Sequence, residues 1–203
     1  MKANRLEVMI VNSPVRLLVQ KKILLPWIKS QVKIPGNGTF LEIGCGRGAG
    51  ACMLLEEFFP QAVHAMDLDE GMITEATRYI TPRQREKINL YVGDSFTLPH
   101  RDASMDAVFG FGVLHHLPDW QGGVKEIARV LKPGGIYFLE EFYPPFYLNF
   151  LVRRLVVHPE ENRFYSRDLR VNLKAAGLPI EKALELKMLG IIAICRKQPA
   201  AAL

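Results

Sequence analysis

The chain has 203 residues, 49% hydrophobic and 23% charged, with a formal net charge of +5 at pH 7. That length supports one well-buried domain with appended elements rather than two full ones, and the composition is that of an ordinary globular protein. No apolar run reaches transmembrane length, the patch Val8-Met9-Ile10-Val11 is too short for a signal-peptide core, and Cys45, Cys52 and Cys195 lack metal-ligand spacing, a pattern expected of reduced thiols in a cytoplasmic protein without a structural metal.

In chain order, Asn12-Ser13-Pro14 reads as a helix start, with a capping side chain and proline in the first turn. The spacing predicts helix to about Gln31, bent or interrupted near Pro26, within an arm spanning 1–35. Between Glu7 and Glu42 no acid occurs, while Arg16, Lys21, Lys22, Lys29 and Lys33 supply five positive charges, so this segment accounts for the whole excess. Without an Arg/Lys-rich tail or a familiar recognition module, no nucleic-acid partner is expected.

Pro35-Gly36-Asn37-Gly38 marks a turn into the core. Strands are predicted near 39–43, 62–67, 88–92, 105–111 and 134–140, and helices near 49–59, 70–80 and 121–131. Short apolar strands alternating with helices predict a parallel sheet covered on both faces. Leu131-Lys132-Pro133-Gly134-Gly135 stops a helix and opens a strand. A helix near 166–176 and strands over 180–186 and 191–195, paired as a hairpin, close a single domain.

The richest segment is Phe40-Leu41-Glu42-Ile43-Gly44-Cys45-Gly46-Arg47-Gly48-Ala49-Gly50. A β-forming run ends there in glycines at every second position, and a helix follows. Such a strand–loop–helix turn brings a ligand close to the backbone and to unpaired helix N–H groups. Gly44-x-Gly46-x-x-Ala49 also satisfies a relaxed dinucleotide fingerprint, and a ligand-free tight turn has the same composition. Asp67, 19 residues beyond Gly48 at a predicted strand end, is placed to accept from ribose hydroxyls, and Asp69 to cap the next helix. Asp94, in Gly93-Asp94-Ser95, either contacts an adenine amino group or simply forms a turn.

Together with Met66-Asp67-Leu68-Asp69, Val113-Leu114-His115-His116-Leu117-Pro118-Asp119 and the Leu-Lys-Pro-Gly-Gly turn, these segments resemble the class I S-adenosylmethionine-dependent methyltransferases, especially the ubiquinone/menaquinone C-methyltransferase-like branch. The resemblance covers roughly residues 39–140. It implies an α/β fold, a three-layer doubly wound sheet of seven strands in the order 3-2-1-4-5-7-6, mostly parallel with the seventh strand antiparallel, and here an N-terminal helical arm. It implies S-adenosyl-L-methionine as cofactor and S-adenosyl-L-homocysteine as product. Glu42 would approach the amino group, and Gly44, Cys45, Gly46 and Gly48 the methionine moiety. Asp67 with Leu68 would hold the ribose, Asp94 and Ser95 the adenine, and Gly110 and Phe111 would lie beside the sulfonium. Gly110-Phe111-Gly112 departs from the small polar residues frequent in relatives at that point.

An NAD(P)-dependent oxidoreductase is the competing reading, but no tyrosine has lysine four residues later, as short-chain dehydrogenases of this size require. A methyltransferase-like subunit without catalysis is the other alternative, against which the intact acidic and glycine positions speak. Methyl transfer needs alignment and water exclusion, and a base only when the acceptor loses a proton. His115, His116 and Glu140 are the candidate catalytic groups, with capping or packing as the alternative for either histidine; of Glu140 and Glu141 one is expected to face the pocket and the other solvent. Adjacent side chains diverge, so no metal site is expected.

Selectivity is assigned to the parts outside the resemblance. These are the basic amphipathic arm and the aromatic, finally basic stretch Phe142–Arg154 within 141–165, while 166–197 carries the closing helix and hairpin. They suggest a small hydrophobic or anionic acceptor. The arm serves either as a packed lid or as a peripheral membrane contact, the lid being preferred.

Overall fold

The structure, a computed structural model, describes residues 13–148 and 162–199. The remainder of the aromatic stretch, from 149 to 154, lies outside the described residues, as do residues 1–12 of the arm.

The strands are β1 (Thr39–Ile43), β2 (Ala62–Asp67), β3 (Ile88–Val92), β4 (Met105–Phe111), β5 (Leu131–Phe142), β6 (Ile180–Leu186) and β7 (Gly190–Arg196). They form one sheet in the order β3-β2-β1-β4-β5-β7-β6. β7 runs antiparallel to both β5 and β6, and the other pairings are parallel. The helices are α1 (Pro14–Val19), α2 (Leu25–Gln31), α3 (Ala49–Phe58), α4 (Glu70–Tyr79), α5 (Pro82–Arg85), α6 (Trp120–Val130), α7 (Pro144–Tyr147) and α8 (Ser166–Ala175). Fold class and strand order are those the resemblance implied.

Alternation along the strands produces a core on each face of the sheet. Phe40, Phe109 and Phe138 point to the side covered by the arm, α3 and α4, whereas Leu41, Ile43, Val108 and Leu139 point toward α6 and α8. The order reverses between β1 and its two neighbours β2 and β4, with Ile43 level with both Met66 and Gly110. That reversal splays the loops after β1 and β4 and opens a crevice at the carboxyl ends of the strands.

Three local features refine the expected elements. Ser13 caps α1 by accepting from Arg16 N–H at 3.3 Å, and the interruption expected near Pro26 is a π-helical turn over Gln20–Leu24, just before that proline. Pro26 cannot donate to a carbonyl in the preceding turn, and Leu25 N–H instead reaches back to Gln20 O. Second, β5 begins at Leu131, earlier than expected. Its pairing jumps from Leu131 opposite Met105 to Ile136 opposite Ala107, and Gly134, with φ +78°, helps make the intervening bulge. Third, α5 was not expected; its four residues are held by a capping box between Thr81 and Gln84.

The arm packs Leu24, Leu25 and Ile28 inward, while Val15, Leu18 and Ile23 are exposed. Among the described residues, no helix is long and apolar enough to cross a membrane.

Candidate functional site

The glycine loop begins where β1 ends. Gly44, Gly46 and Gly48 all have positive φ, from +51° to +82°, conformations that side chains with a Cβ rarely adopt. Cys45 N–H donates to Met66 O at 2.8 Å, and Gly46 N–H donates to Asp67 Oδ2 at 2.9 Å, so the loop is fastened to the end of β2. A Cβ on Gly46 would meet nothing within 4 Å, leaving open space against its backbone, whereas one on Gly44 would collide with Val113 from the loop after β4. Gly48 starts α3 without a side-chain cap. The two crevice loops therefore touch each other, and one presents uncovered backbone.

Glu42 is nearly sealed off, 3% exposed, on the face beneath this loop. Its carboxyl lies so close to α3 that a Cβ on Gly50 would overlap Glu42 Oε1. Glu42 Oε2 is buried with no hydrogen-bond partner. Burial first, and the nearby Asp67 carboxylate as well, push the Glu42 pKa well above the usual carboxylate range, against the opposing effects of a backbone bond from Ala51 and the charge of Arg16. An unpaired buried acceptor is costly, and a ligand cation or N–H donor relieves that cost.

Asp67 accepts from Gly46 N–H and, at 2.9 Å, from Asp69 N–H. Both oxygens are thus held by backbone donors, and a carboxylate with about four lone-pair sites retains acceptor capacity beyond them. Burial raises its pKa. Leu68 is exposed beside it, and Asp69 caps α4 through Gly71 N–H. After β3, Asp94 is exposed and accepts from Phe96 N–H at 3.0 Å, the turn-forming role weighed above, and Ser95 is buried. Buried carboxyl groups, free acceptor positions and uncovered backbone fit a ligand with an amino group and ribose hydroxyls such as the expected cofactor.

The end of β4 is organised differently. Gly110 and Phe111 are buried, and Arg16 of α1 donates to Phe111 O at 3.0 Å. Arg16 also pairs with Glu140 Oε2 at 3.3 Å, to which Gln20 Nε2 donates at 3.4 Å. Glu140 thus anchors the arm over the strand ends.

Its neighbour Glu141, on the opposite face of β5, is 1% exposed. Glu141 accepts from the backbone N–H groups of Val113 at 3.1 Å, Leu114 at 2.8 Å and His115 at 3.3 Å, and from the His115 ring at 2.7 Å. Neither acid of the pair is solvated. His115 lies in a 3-10 turn (Leu114–His116), with its ring 4.3 Å from that of His116 and stacked on Tyr147 at 5.7 Å. The two imidazoles are thus neighbours, although among the described residues no cluster of three or more His, Cys, Asp or Glu forms a metal site.

The structure therefore gathers the ends of β1, β2 and β4 around one crevice, with the predicted Glu42, glycine loop, Asp67, Gly110, Phe111 and His115 contributed by those ends. Arg16 and Gln20 were not singled out as site residues in the sequence, and Glu141 was named only with Glu140, as a pair of which one faces the pocket. The only local sign of Glu141 was the alternation of β5, which puts Tyr137, Leu139 and Glu141 on one face.

Residues 41–139 match the family described as "Methyltransferase domain". A demethylmenaquinone methyltransferase of Listeria monocytogenes is 32% identical over 123 residues, covering 58% of this chain and 52% of the relative. A sterol 24-C-methyltransferase of Aspergillus fumigatus is 33% identical over 120 residues, covering 57% of this chain and 31% of the relative. The chain thus spans about half or less of the length of these relatives. Among solved structures, the complex between the Haloferax volcanii Trm112 methyltransferase activator and a methyltransferase matches with a TM-score of 0.78 at 17% identity, covering 93% of this chain and 92% of that one. At that identity the likeness shows a shared fold.

Proposed function

We propose, from a core whose residues 41–139 belong to the methyltransferase-domain family, that this chain transfers a methyl group from S-adenosyl-L-methionine to a small hydrophobic or anionic acceptor. Glu42 carries the reading: a buried carboxyl with an unpartnered oxygen, set beside an open glycine loop, suits the amino group of that cofactor. Gly44, Cys45, Gly46 and Gly48 would line the methionine moiety. Asp67 and Leu68 would hold the ribose, Asp94 and Ser95 the adenine, and Gly110 and Phe111 the sulfonium side.

When bound, the cofactor supplies a methyl carbon on a sulfonium, open to in-line displacement. The chain's own residues align, enclose and manage protons. Arg16 pins α1 over the end of β4, which shields the crevice from bulk water. His115 is the proposed base for an acceptor that must lose a proton, with His116 beside it. Glu140, engaged by Arg16 and Gln20, serves better as an anchor than as a base.

A hydrophobic acceptor is supported by the aromatic groups at the exit of β5, where Phe142 stacks on Phe146 at 4.9 Å and Tyr147 lies against His115. It also agrees with relatives named for a sterol and for demethylmenaquinone. The proposed division of labour is a helical cap, a cofactor core over 39–140, an acceptor-side segment over 141–165 and a closing helix and hairpin. Three buried free cysteines suit a reducing cytoplasm.

Calorimetric titration with S-adenosyl-L-methionine and with NAD(H), followed by a methyl-transfer screen over quinone-like and sterol acceptors, tests the proposal. Binding of the sulfonium cofactor with transfer to one acceptor class is the expected result. Binding of NAD(H) alone would overturn it, and binding of neither would favour a non-catalytic subunit.

A further inference from the structure

We infer that the outer side of the arm and the β6–β7 hairpin together form a docking face for an anionic lipid bilayer, to which the protein binds peripherally. Such docking goes beyond the methyl-transfer reading and does not depend on it.

The arm supplies one half of the face. It is helical from Pro14 to Gln31, through α1, the π-helical turn and α2. Leu24, Leu25 and Ile28 fill its inner side. Val15, Leu18 and Val19 recur at the three- and four-residue spacing of one helix face, with Ile23 four residues further on. All four are exposed, Val15 at 72%.

The hairpin supplies the other half. Leu184 stands opposite Ile192, and Ile192 opposite Glu140; Leu186 stands opposite Gly190, and Gly190 opposite Phe142. Directly opposed residues share a face of the sheet. Glu140 marks that face as the one carrying the arm, to which it is fastened through Arg16 and Gln20. β6 is an edge strand, and with Leu184 at 51% and Leu186 at 66% exposure it is bare on this side. Met188 and Leu189 continue the apolar surface into the turn, where Leu189 O accepts from Tyr143 N–H at the exit of β5. Arm and hairpin thus turn exposed apolar side chains to the same side of the sheet.

The charges select the occupant. Lys22 follows Leu18 by one helical turn, Lys182 shares the bare face of β6 with Leu184, and Lys187 lies in the hairpin turn. All three are exposed and form no ion pair among the described residues. The arm carries no acid from Ser13 to Gln31. Of the two acids in β6, Glu185 points to the opposite face and pairs with Arg170 at 2.6 Å, and Glu181 pairs with Arg196 at 2.9 Å. Apolar side chains edged by unpaired lysines, with each carboxylate of β6 already engaged, complement anionic headgroups over an acyl surface. Arg16 ties α1 to Phe111 O at 3.0 Å. A bilayer on the outer side of α1 therefore lies about 10 Å, one helix diameter, from the end of β4.

Co-sedimentation of the whole cofactor-free chain with vesicles of phosphatidylcholine, with or without phosphatidylglycerol, tests this face. Wild type should bind the anionic vesicles, less tightly as salt rises, and the neutral ones about tenfold more weakly or less. Leu18→Glu/Ile23→Glu and Leu186→Glu/Met188→Glu change exposed positions in the two halves. Each should keep the wild-type Tm and lose about tenfold or more in vesicle affinity. Lys22→Gln/Lys182→Gln/Lys187→Gln should abolish the preference for phosphatidylglycerol. No binding by wild type would overturn the inference. So would undiminished binding in either glutamate variant, or an undiminished phosphatidylglycerol preference in the lysine variant. A dimer in lipid-free analytical ultracentrifugation that the glutamate variants dissociate would also overturn it, by assigning the face to a second copy of the chain. Failure of the methyl-transfer reading appears separately, as absence of cofactor binding in a protein that still sediments with vesicles.

Discussion

Two buried acids at the same end of the sheet are treated in opposite ways. Glu42, under the glycine loop, has an oxygen with no partner, while Glu141, under the loop after β4, has four donors. Burial raises the pKa of both, so the low-dielectric environment is not what separates them. The difference lies in satisfaction. A saturated carboxylate organises its own structure, and an unsatisfied one reserves a position for something that arrives later.

The same isosteric change at each position tests that contrast. Glu141→Gln sets an amide N–H2 against donors and should destabilise the protein by about 2–3 kcal/mol in urea unfolding. Glu42→Gln removes a buried ionisable group with one unpartnered oxygen, and should leave the stability of the cofactor-free protein unchanged or higher. Equal losses for the two variants would break the comparison. Glu42→Gln should instead weaken cofactor binding by about tenfold or more, read by calorimetry, as expected when a charge-assisted bond is lost.

A smaller effect is expected from Arg16→Ala. The Arg16–Glu140 pair is partly buried, at 17% and 14% side-chain exposure, and its loss should cost about 1 kcal/mol. It should also increase protease cleavage within the arm, because Phe111 O and Glu140 no longer hold α1 in place. An arm as protected as in wild type would remove its role as a lid anchored at the crevice.

The smallest effect lies away from the crevice, where the rings of His64 and His100 stand 4.8 Å apart and Tyr91 hydrogen bonds to His100. Burial lowers both histidines, His100 to about 4, with His64 and Arg129 also depressing His100. The sign follows from neutral rings in the folded state. Their contribution is present above the ordinary value of 6.5 and is lost as pH falls toward about 4. A His64→Gln/His100→Gln variant should therefore lose less thermal stability than wild type over that interval. Parallel Tm curves would contradict this.

The contrast also shows what the sequence could reveal. The glycine loop and the place of Asp67 were legible because each depends on neighbours a few residues away: a strand end, a turn, a helix start; the strand order instead came with the family resemblance. Pro26 announced an interruption, but its form as a π-helical turn depends on how the arm seats against the core. The role of Glu141 was hidden because its partners, at Val113–His115, are more than 25 positions away, as the 26–28 residue separations of its bonds show. The pairing of Phe111 with Glu140 brings them together. Glu140, one residue earlier, faces the arm instead: alternation sets the two acids on opposite faces, but only the register of β5 against β4 says which of them meets the loop after β4.

The most direct test is calorimetry of S-adenosyl-L-methionine binding to wild type and Glu42→Gln, run in buffers of different ionisation enthalpy across a range of pH. Burial favours protonated Glu42 in the free protein, and an incoming amino group favours its carboxylate. Wild type should therefore release protons on binding and bind more tightly as pH rises, and Glu42→Gln should bind weakly without that linkage. Equal affinity in the two proteins, with no proton released by wild type, would contradict the assignment of Glu42 as the reserved position.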